Sequence, residues 1–358
     1  MAKIDYADSL KEMIEAVRSN AGSDLHFSVG RHPTMRVAGI LIPLERFPVL
    51  TANDTLEYLT IMLDPKQKER FLNNKELDFS YSADQITRFR GNAFVQRSGV
   101  GIALRYIPRK IPSLQELGLP EILKDFAHLK QGFFLVVGPV GQGKTTTLAS
   151  MIDLINSTKQ EHILTIEDPI EYIHVQKESI VDQREVGIDT NDFSSALHSA
   201  FRQDANVIML GELRNLETIS SAITAAETGH LVFATLHTND ATQTIDRLID
   251  VFPGGQQAQI RSQLASALSG IFSQRLIPSV EAGVVPVFEL LINNSAVQNL
   301  IRDNRSHEIG SVIETGMELG MIQMDRTIAE QVNLGNISPE MGERYAQNID
   351  LYKRFINI

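Results

Sequence analysis

Cysteine is absent from all 358 residues, which removes disulfides, thiolate zinc sites and cysteine nucleophiles from the chemistry open to the chain. No stretch approaches the roughly 18 consecutive apolar residues that a bilayer-spanning helix requires. The opening Met1-Ala2-Lys3-Ile4-Asp5-Tyr6 leads into a polar amphipathic helix rather than a signal-peptide core, so a cytoplasmic protein is expected. Low-complexity tracts and internal repeats are missing as well. Positive charge is scarce: 33 Lys and Arg against 44 Asp and Glu leave a net charge of −11, which argues against a general affinity for nucleic acid or anionic lipid. What is present is the composition of a soluble globular protein, in a chain long enough that two domains, each with its own core, are the default.

One segment reverses the charge balance. Between Asp84 and Glu116 there is no carboxylate, yet Arg88, Arg90, Arg97, Arg105, Arg109 and Lys110 all fall there. Arg88-Phe89-Arg90-Gly91-Asn92-Ala93-Phe94-Val95 reads as a strand whose period of two puts Arg88 and Arg90 on one face and Phe89, Ala93 and Val95 on the other. An anionic partner is the sharper account of the cluster and a solvated strand face the plainer one. Before it come a helix with Leu10, Met13, Ile14 and Val17 on one side, short strands at 25–29 and 35–37, and a second helical stretch from about Leu56 to Phe71. Residues 1–107 therefore read as a small α+β domain. Residues 108–113, with Pro108 and Pro112, read as a linker. From 114 to 358 the apolar runs 133–137, 162–166, 207–210 and 231–236 are separated by helical or loop sequence, the pattern of a parallel α/β sheet. Past Gly254 the chain is expected to be helical.

The most specific motif follows the first of those runs. Gly138-Pro139-Val140-Gly141-Gln142-Gly143-Lys144-Thr145 fits the phosphate-loop pattern G-x-x-x-x-G-K-[ST], between an apolar strand and a helix that opens with Thr146. The glycines let backbone amides curl around a β-phosphate at a helix N-terminus, Lys144 reaches the β/γ oxygens, and the Thr145 hydroxyl can ligate Mg²⁺. Gly138 to Thr146 are the candidate nucleotide contacts.

Three further segments end the later strands, where open α/β sheets bind ligands. Thr165-Ile166-Glu167-Asp168-Pro169-Ile170-Glu171 bunches three carboxylates that can order a Mg²⁺ hydration shell or polarise attacking water, although Asp168 before Pro169 also fits a helix N-cap. Asn206-Val207-Ile208-Met209-Leu210-Gly211-Glu212 delivers an acid at a strand tip in the Walker B manner, with Glu212 as general base or as Mg²⁺ organiser. His230 and His237 flank the last run. His237 stands at the nucleotide end as a candidate γ-phosphate sensor, and two histidines a strand apart cannot share a metal ion.

These residues resemble the PilT-type retraction ATPases of bacterial type IV pili, within the secretion ATPase superfamily. The similarity runs through Ser23-Asp24-Leu25-His26-Phe27, the arginine strand, the phosphate loop Gly138–Thr145 (Walker A), the Asp box at Ile166-Glu167-Asp168-Pro169-Ile170-Glu171, Gly211-Glu212-Leu213-Arg214 (Walker B), the His box at Thr228–Thr238, and Thr244 to Pro253. The resemblance implies a PAS-like N-terminal domain, a RecA-like C-terminal ATPase domain with helices at its end, and a ring of six subunits using ATP and Mg²⁺. It further implies that Arg88, Arg90, Arg97 and Arg105 reach nucleotide at a subunit boundary, and that the ring turns the inner-membrane platform protein so that pilin leaves the fibre. The chain is then peripheral at the inner membrane, on its cytoplasmic side, and acts on no nucleic acid. Assembly ATPases usually carry a four-cysteine zinc insertion, so the absence of cysteine points to the retraction branch. Gln298 in Ala296-Val297-Gln298-Asn299-Leu300-Ile301-Arg302-Asp303 stands where the family usually has a charged residue, and Gln142 and Thr145 replace two usual serines. An accessory, PilU-like partner that depends on an active paralogous retraction ATPase is the alternative.

Overall fold

A computed structural model describes residues 5–20, 22–37, 39–84, 87–107, 110–281 and 283–356. Pro108 and Arg109, expected in the linker and in the basic segment, lie outside them. The chain divides into two compact units, Met1–Lys110 with Pro169–Ile173, and Ile111–Asp168 with His174–Ile358.

In the first unit, Asp5 caps α1 (Tyr6–Ser19) by accepting the Ala7 and Asp8 amides, and the helix buries Leu10, Met13, Ile14 and Val17, an i, i+3, i+4, i+7 stripe. Strands β1 (Asp24–Phe27), β2 (Thr34–Val37) and β3 (Ile40–Pro43) follow. The stretch expected as one helix is two, α2 (Ala52–Met62) and α3 (Pro65–Asn74). Asp64 and Pro65 explain the break: Asp64 forms a capping box with Gln67, and Pro65 supplies the first helical residue without needing an amide partner. β4 (Glu76–Ser82), β5 (Arg88–Gln96) and β6 (Gly99–Ile107) complete an antiparallel sheet of order β3-β2-β1-β6-β5-β4. Phe27, Tyr58, Phe79 and Phe89 fill its core. The face expected of β5 is buried at Phe89 and Ala93, whereas Val95, near the hairpin end, is 49% exposed.

The second unit opens with α4 (Leu123–Ala127), then β7 (Gly132–Val137), α5 (Lys144–Thr158), β8 (His162–Glu167), β9 (Ile180–Glu185), α6 (Phe193–Ala200), β10 (Val207–Leu210), α7 (Leu216–Glu227), β11 (Leu231–Leu236), α8 (Ala241–Asp250) and α9 (Gly254–Ala267). The four apolar runs are strands, and β7, β10 and β11 are buried at every position, which is why they read as unbroken hydrophobic stretches. The region past Gly254 is not all helical. Among the described residues, β12 (Leu268–Pro278) and β13 (Val284–Ile292) precede five short α-helices, α10 (Ser295–Arg302), α11 (Ile309–Thr315), α12 (Met324–Asn333), α13 (Pro339–Tyr345) and α14 (Ile349–Phe355). Ser273 and Gln274 interrupt the apolar pattern of β12, and Pro286 and Glu289 that of β13. The sheet order is β13-β12-β7-β11-β10-β8-β9, parallel throughout except for the β12–β13 hairpin. The fold is α/β: an α+β unit followed by a parallel α/β unit with a helical end.

Candidate nucleotide site

β7, β11, β10 and β8 are consecutive neighbours and parallel, so their C-terminal ends share one edge of the sheet, and the four motifs sit there. The phosphate loop connects β7 to α5. Gly143 precedes the helix in the left-handed region, with φ 79°. Gly138 has φ 144°, and a Cβ on it would stand 2.3 Å from the Gln274 carbonyl oxygen; only glycine allows both that angle and that approach. Lys144 is buried, and its ammonium donates to the carbonyls of Gly138 at 2.7 Å and Pro139 at 2.8 Å. Thr145 and Thr146 follow in the first turn of α5, half-buried.

The Lys144 Nζ also lies 3.2 Å from His237 Nδ1. An ammonium can only donate, so Nδ1 accepts and the imidazole proton sits on Nε2, which faces Glu212 Oε2 at 3.5 Å. The other Glu212 oxygen pairs with Arg214. That hydrogen bond raises the Arg214 pKa above its ordinary value, against the opposing effect of burial. A second Arg214 nitrogen reaches Asp168 Oδ2 at 3.4 Å. One chain of contacts thus runs from the phosphate loop through the His box and Walker B to the Asp box. No helix starts at Pro169, so the N-cap alternative for Asp168 is overturned: its carboxylate serves the Arg214 contact.

Glu167 is buried deeper. Its Oε1 accepts from the Thr165 hydroxyl at 2.7 Å and from Gln183 Nε2 at 3.2 Å. Glu171 belongs to the first unit, where it pairs with Arg90 at 3.2 Å. His230 is at the opposite end of β11, its Nδ1 3.0 Å from the Ala225 carbonyl, so the two histidines do not meet.

The segment after His237 is held from below by the β12–β13 hairpin. Ser273 and Glu289 face each other across it. The Ser273 hydroxyl donates to the Asn239 carbonyl at 2.7 Å, and Glu289 Oε1 accepts the Ala241 amide at 2.9 Å. Burial pushes the Glu289 carboxyl up to about 7. Ala241 N–H and Arg275 work against that rise, Asp240 and Asp325 with it.

Arg88, Arg90, Arg97 and Arg105 of the first unit lie on β5, β6 and the turn between them. Arg90 and Arg105 are cross-strand partners. Arg105 pairs with Asp24 at 3.1 Å, Arg88 is half-buried, and Arg97 is exposed in the turn after β5. Neither Arg214 nor Gln274 was expected as part of the site. Arg214 lies two residues past the strand acid and is visible as a neighbouring charge; Gln274 has no signal in the sequence.

A parallel sheet with a phosphate loop, a strand-tip glutamate and an ordered cation beside it defines a P-loop ATPase. Residues 5–283 match the family described as type II/IV secretion system protein, and the chain belongs to that family. It is 43% identical over 338 residues to the type IV pilus retraction ATPase PilT of Pseudomonas aeruginosa, covering 94% of this chain and 98% of that one. It is 39% identical over 356 residues to the type IV pilus ATPase PilU of the same organism, covering 99% and 92%. Its fold superposes on a crystal structure of the pilus retraction motor PilT with bound ADP at a TM-score of 0.90 and 43% identity, covering 98% of this chain and all of that one. Among the described residues, no helix is long and apolar enough to cross a membrane, and no group of three or more His, Asp or Glu could hold a metal ion.

Proposed function

We propose that this chain is one subunit of a six-membered, Mg-ATP-hydrolysing ring that drives type IV pilus retraction from the cytoplasmic face of the inner membrane by acting on the platform protein. The observation that carries this is the continuous contact chain Lys144–His237–Glu212–Arg214–Asp168, in a sequence alike to PilT over nearly its whole length. In this reading the loop amides and Lys144 bind the β/γ-phosphates, and His237, already against Lys144, senses the γ-phosphate. Glu212 takes the proton of the attacking water once Arg214 yields. Glu167, held by Thr165 and Gln183, orders water near the metal. Mg²⁺ would be held by the Thr145 hydroxyl and by Glu212, a hard oxygen donor set of the right kind, and would supply neutralisation of the charge developing on the phosphates. Arg88, Arg90, Arg97 and Arg105 act in trans on a neighbouring subunit's nucleotide, which makes each site composite.

The PilU-like alternative rests on Gln298, half-buried on α10, while the identity to PilU, 39%, is below the 43% to PilT. The presence of Lys144, Glu167 and Glu212 supports an enzyme active by itself. Phosphate release from Mg-ATP, measured across protein concentration alongside mass in solution, tests the reading: turnover per subunit should rise as the ring assembles. An assembled ring without turnover would leave the accessory role, and turnover by a monomer would remove the composite site.

A further inference from the structure

β12 outruns its parallel neighbour. Ser273 is the last residue opposite β7, facing Val137, and Gln274 to Pro278 continue paired to β13 alone. At that point β7 has already turned into the phosphate loop, which would leave the near edge of β12 without a strand to satisfy its amides. The loop supplies the partner. Gln142 Oε1 accepts the Leu276 N–H at 2.7 Å, on the edge of β12 that faces away from β13. Gln274 answers in the other direction: its Nε2 donates to the Gln142 carbonyl at 2.9 Å, and its Oε1 accepts from the Thr147 hydroxyl at 2.6 Å. Gln274 and Thr147 are both buried.

We propose that Gln142, Gln274 and Thr147 form a brace that sets the shape of the phosphate loop before nucleotide arrives, Gln142 and Gln274 being positioning residues for the anion site. The bonds tie both ends of the loop's second half, Gln142 and the first turn of α5, to one strand of the sheet. A loop already held in its binding shape loses less freedom when phosphate binds, so the brace acts on nucleotide affinity. The proposal rests on the reading of the loop as a nucleotide site.

The test uses full-length Gln142→Ser, Thr147→Val and Thr147→Ser. A serine is too short to reach the Leu276 amide, valine keeps the shape of Thr147 without its hydroxyl, and serine keeps the hydroxyl. Binding of a fluorescent ADP analogue should weaken about fivefold in Gln142→Ser and Thr147→Val, the scale of one lost hydrogen bond. KM should rise by more than kcat falls, and Thr147→Ser should bind within about twofold of the parent. Hydrogen exchange in nucleotide-free protein gives a second readout: the Leu276 amide should exchange about tenfold faster or more in Gln142→Ser, with the Leu135 amide of β7 unchanged. Parent-like ADP affinity in Gln142→Ser, equal weakness of the two Thr147 variants, or unaltered Leu276 exchange would each overturn the brace. A parent protein that binds no ADP would instead defeat the functional reading, and the exchange comparison would still decide the brace.

Discussion

Glu289→Gln should change the way stability depends on pH. Glu289 is a buried carboxyl whose ordinary value of 4.5 is pushed up to about 7. At about 1.4 kcal/mol per pH unit, that difference makes the neutral form worth about 3 kcal/mol to the folded protein. The sign follows from which state holds the proton. Below pH 4.5 both folded and unfolded chains are protonated and the stabilisation is complete. Between 4.5 and about 7 the unfolded chain loses its proton while the folded one keeps it, so stability falls as pH rises, and above 7 it levels off. About 2 kcal/mol of the loss lies between pH 5.5 and 8. Glutamine retains an acceptor for the Ala241 amide and cannot ionise. Urea unfolding of nucleotide-free protein at pH 5.5, 6.5, 7.5 and 8.5, with hydrogen exchange of β13 amides to report on the second unit, should show the variant gaining on the parent as pH rises. Parallel stability curves for the two proteins across this range would refute the reasoning, because they would mean that Glu289 ionises alike in both states.

Three further outcomes are expected. Lys144→Ala should abolish tight nucleotide binding and hydrolysis, read by equilibrium binding and phosphate release, since Lys144 is the loop's sole cation. Glu212→Gln should still bind ATP while hydrolysis falls by about 10² or more, the range for losing a general base; loss of binding in equal measure would give Glu212 a structural task. Mixing Lys144→Ala subunits with subunits lacking Arg88, Arg90, Arg97 and Arg105 should restore part of the activity that each lacks alone, because arginines acting in trans let some sites of a mixed ring be whole. Mixed rings without recovery at any ratio would place the basic segment's action within its own subunit.

The parts of the site legible from sequence are those where one local requirement dictates residue type. Gly138 and Gly143 are forced by backbone angle, Lys144 by the charge that the proposed phosphate site requires, and the strands ahead of Glu167, Glu212 and His237 by burial on both faces. Other parts depend on what the chain meets after folding. β12 and β13 escaped because Gln274 and Glu289 are polar residues buried for tertiary reasons, one against the phosphate loop and one under the start of α8. Asp168 next to a proline has the local look of a helix cap, and only the position of Arg214 shows its partner. The division of Glu171 from Glu167 and Asp168 is likewise invisible in a run of seven residues. Val95 fits the strand period and is exposed all the same, since alternation assigns a side and not what covers it.

Gln142 finds its strand partner 134 residues later in the chain, and this fixes an order of events during synthesis. When the ribosome has completed every motif through His237, the strand that closes the loop, Leu268–Pro278, has not yet been made. Long-range pairings of this kind form late because the intervening chain must first be ordered. A nascent or prematurely terminated chain would therefore carry every motif of the proposed nucleotide site with a weakened affinity, and ATP would favour finished molecules by stabilising most those in which the hairpin has docked.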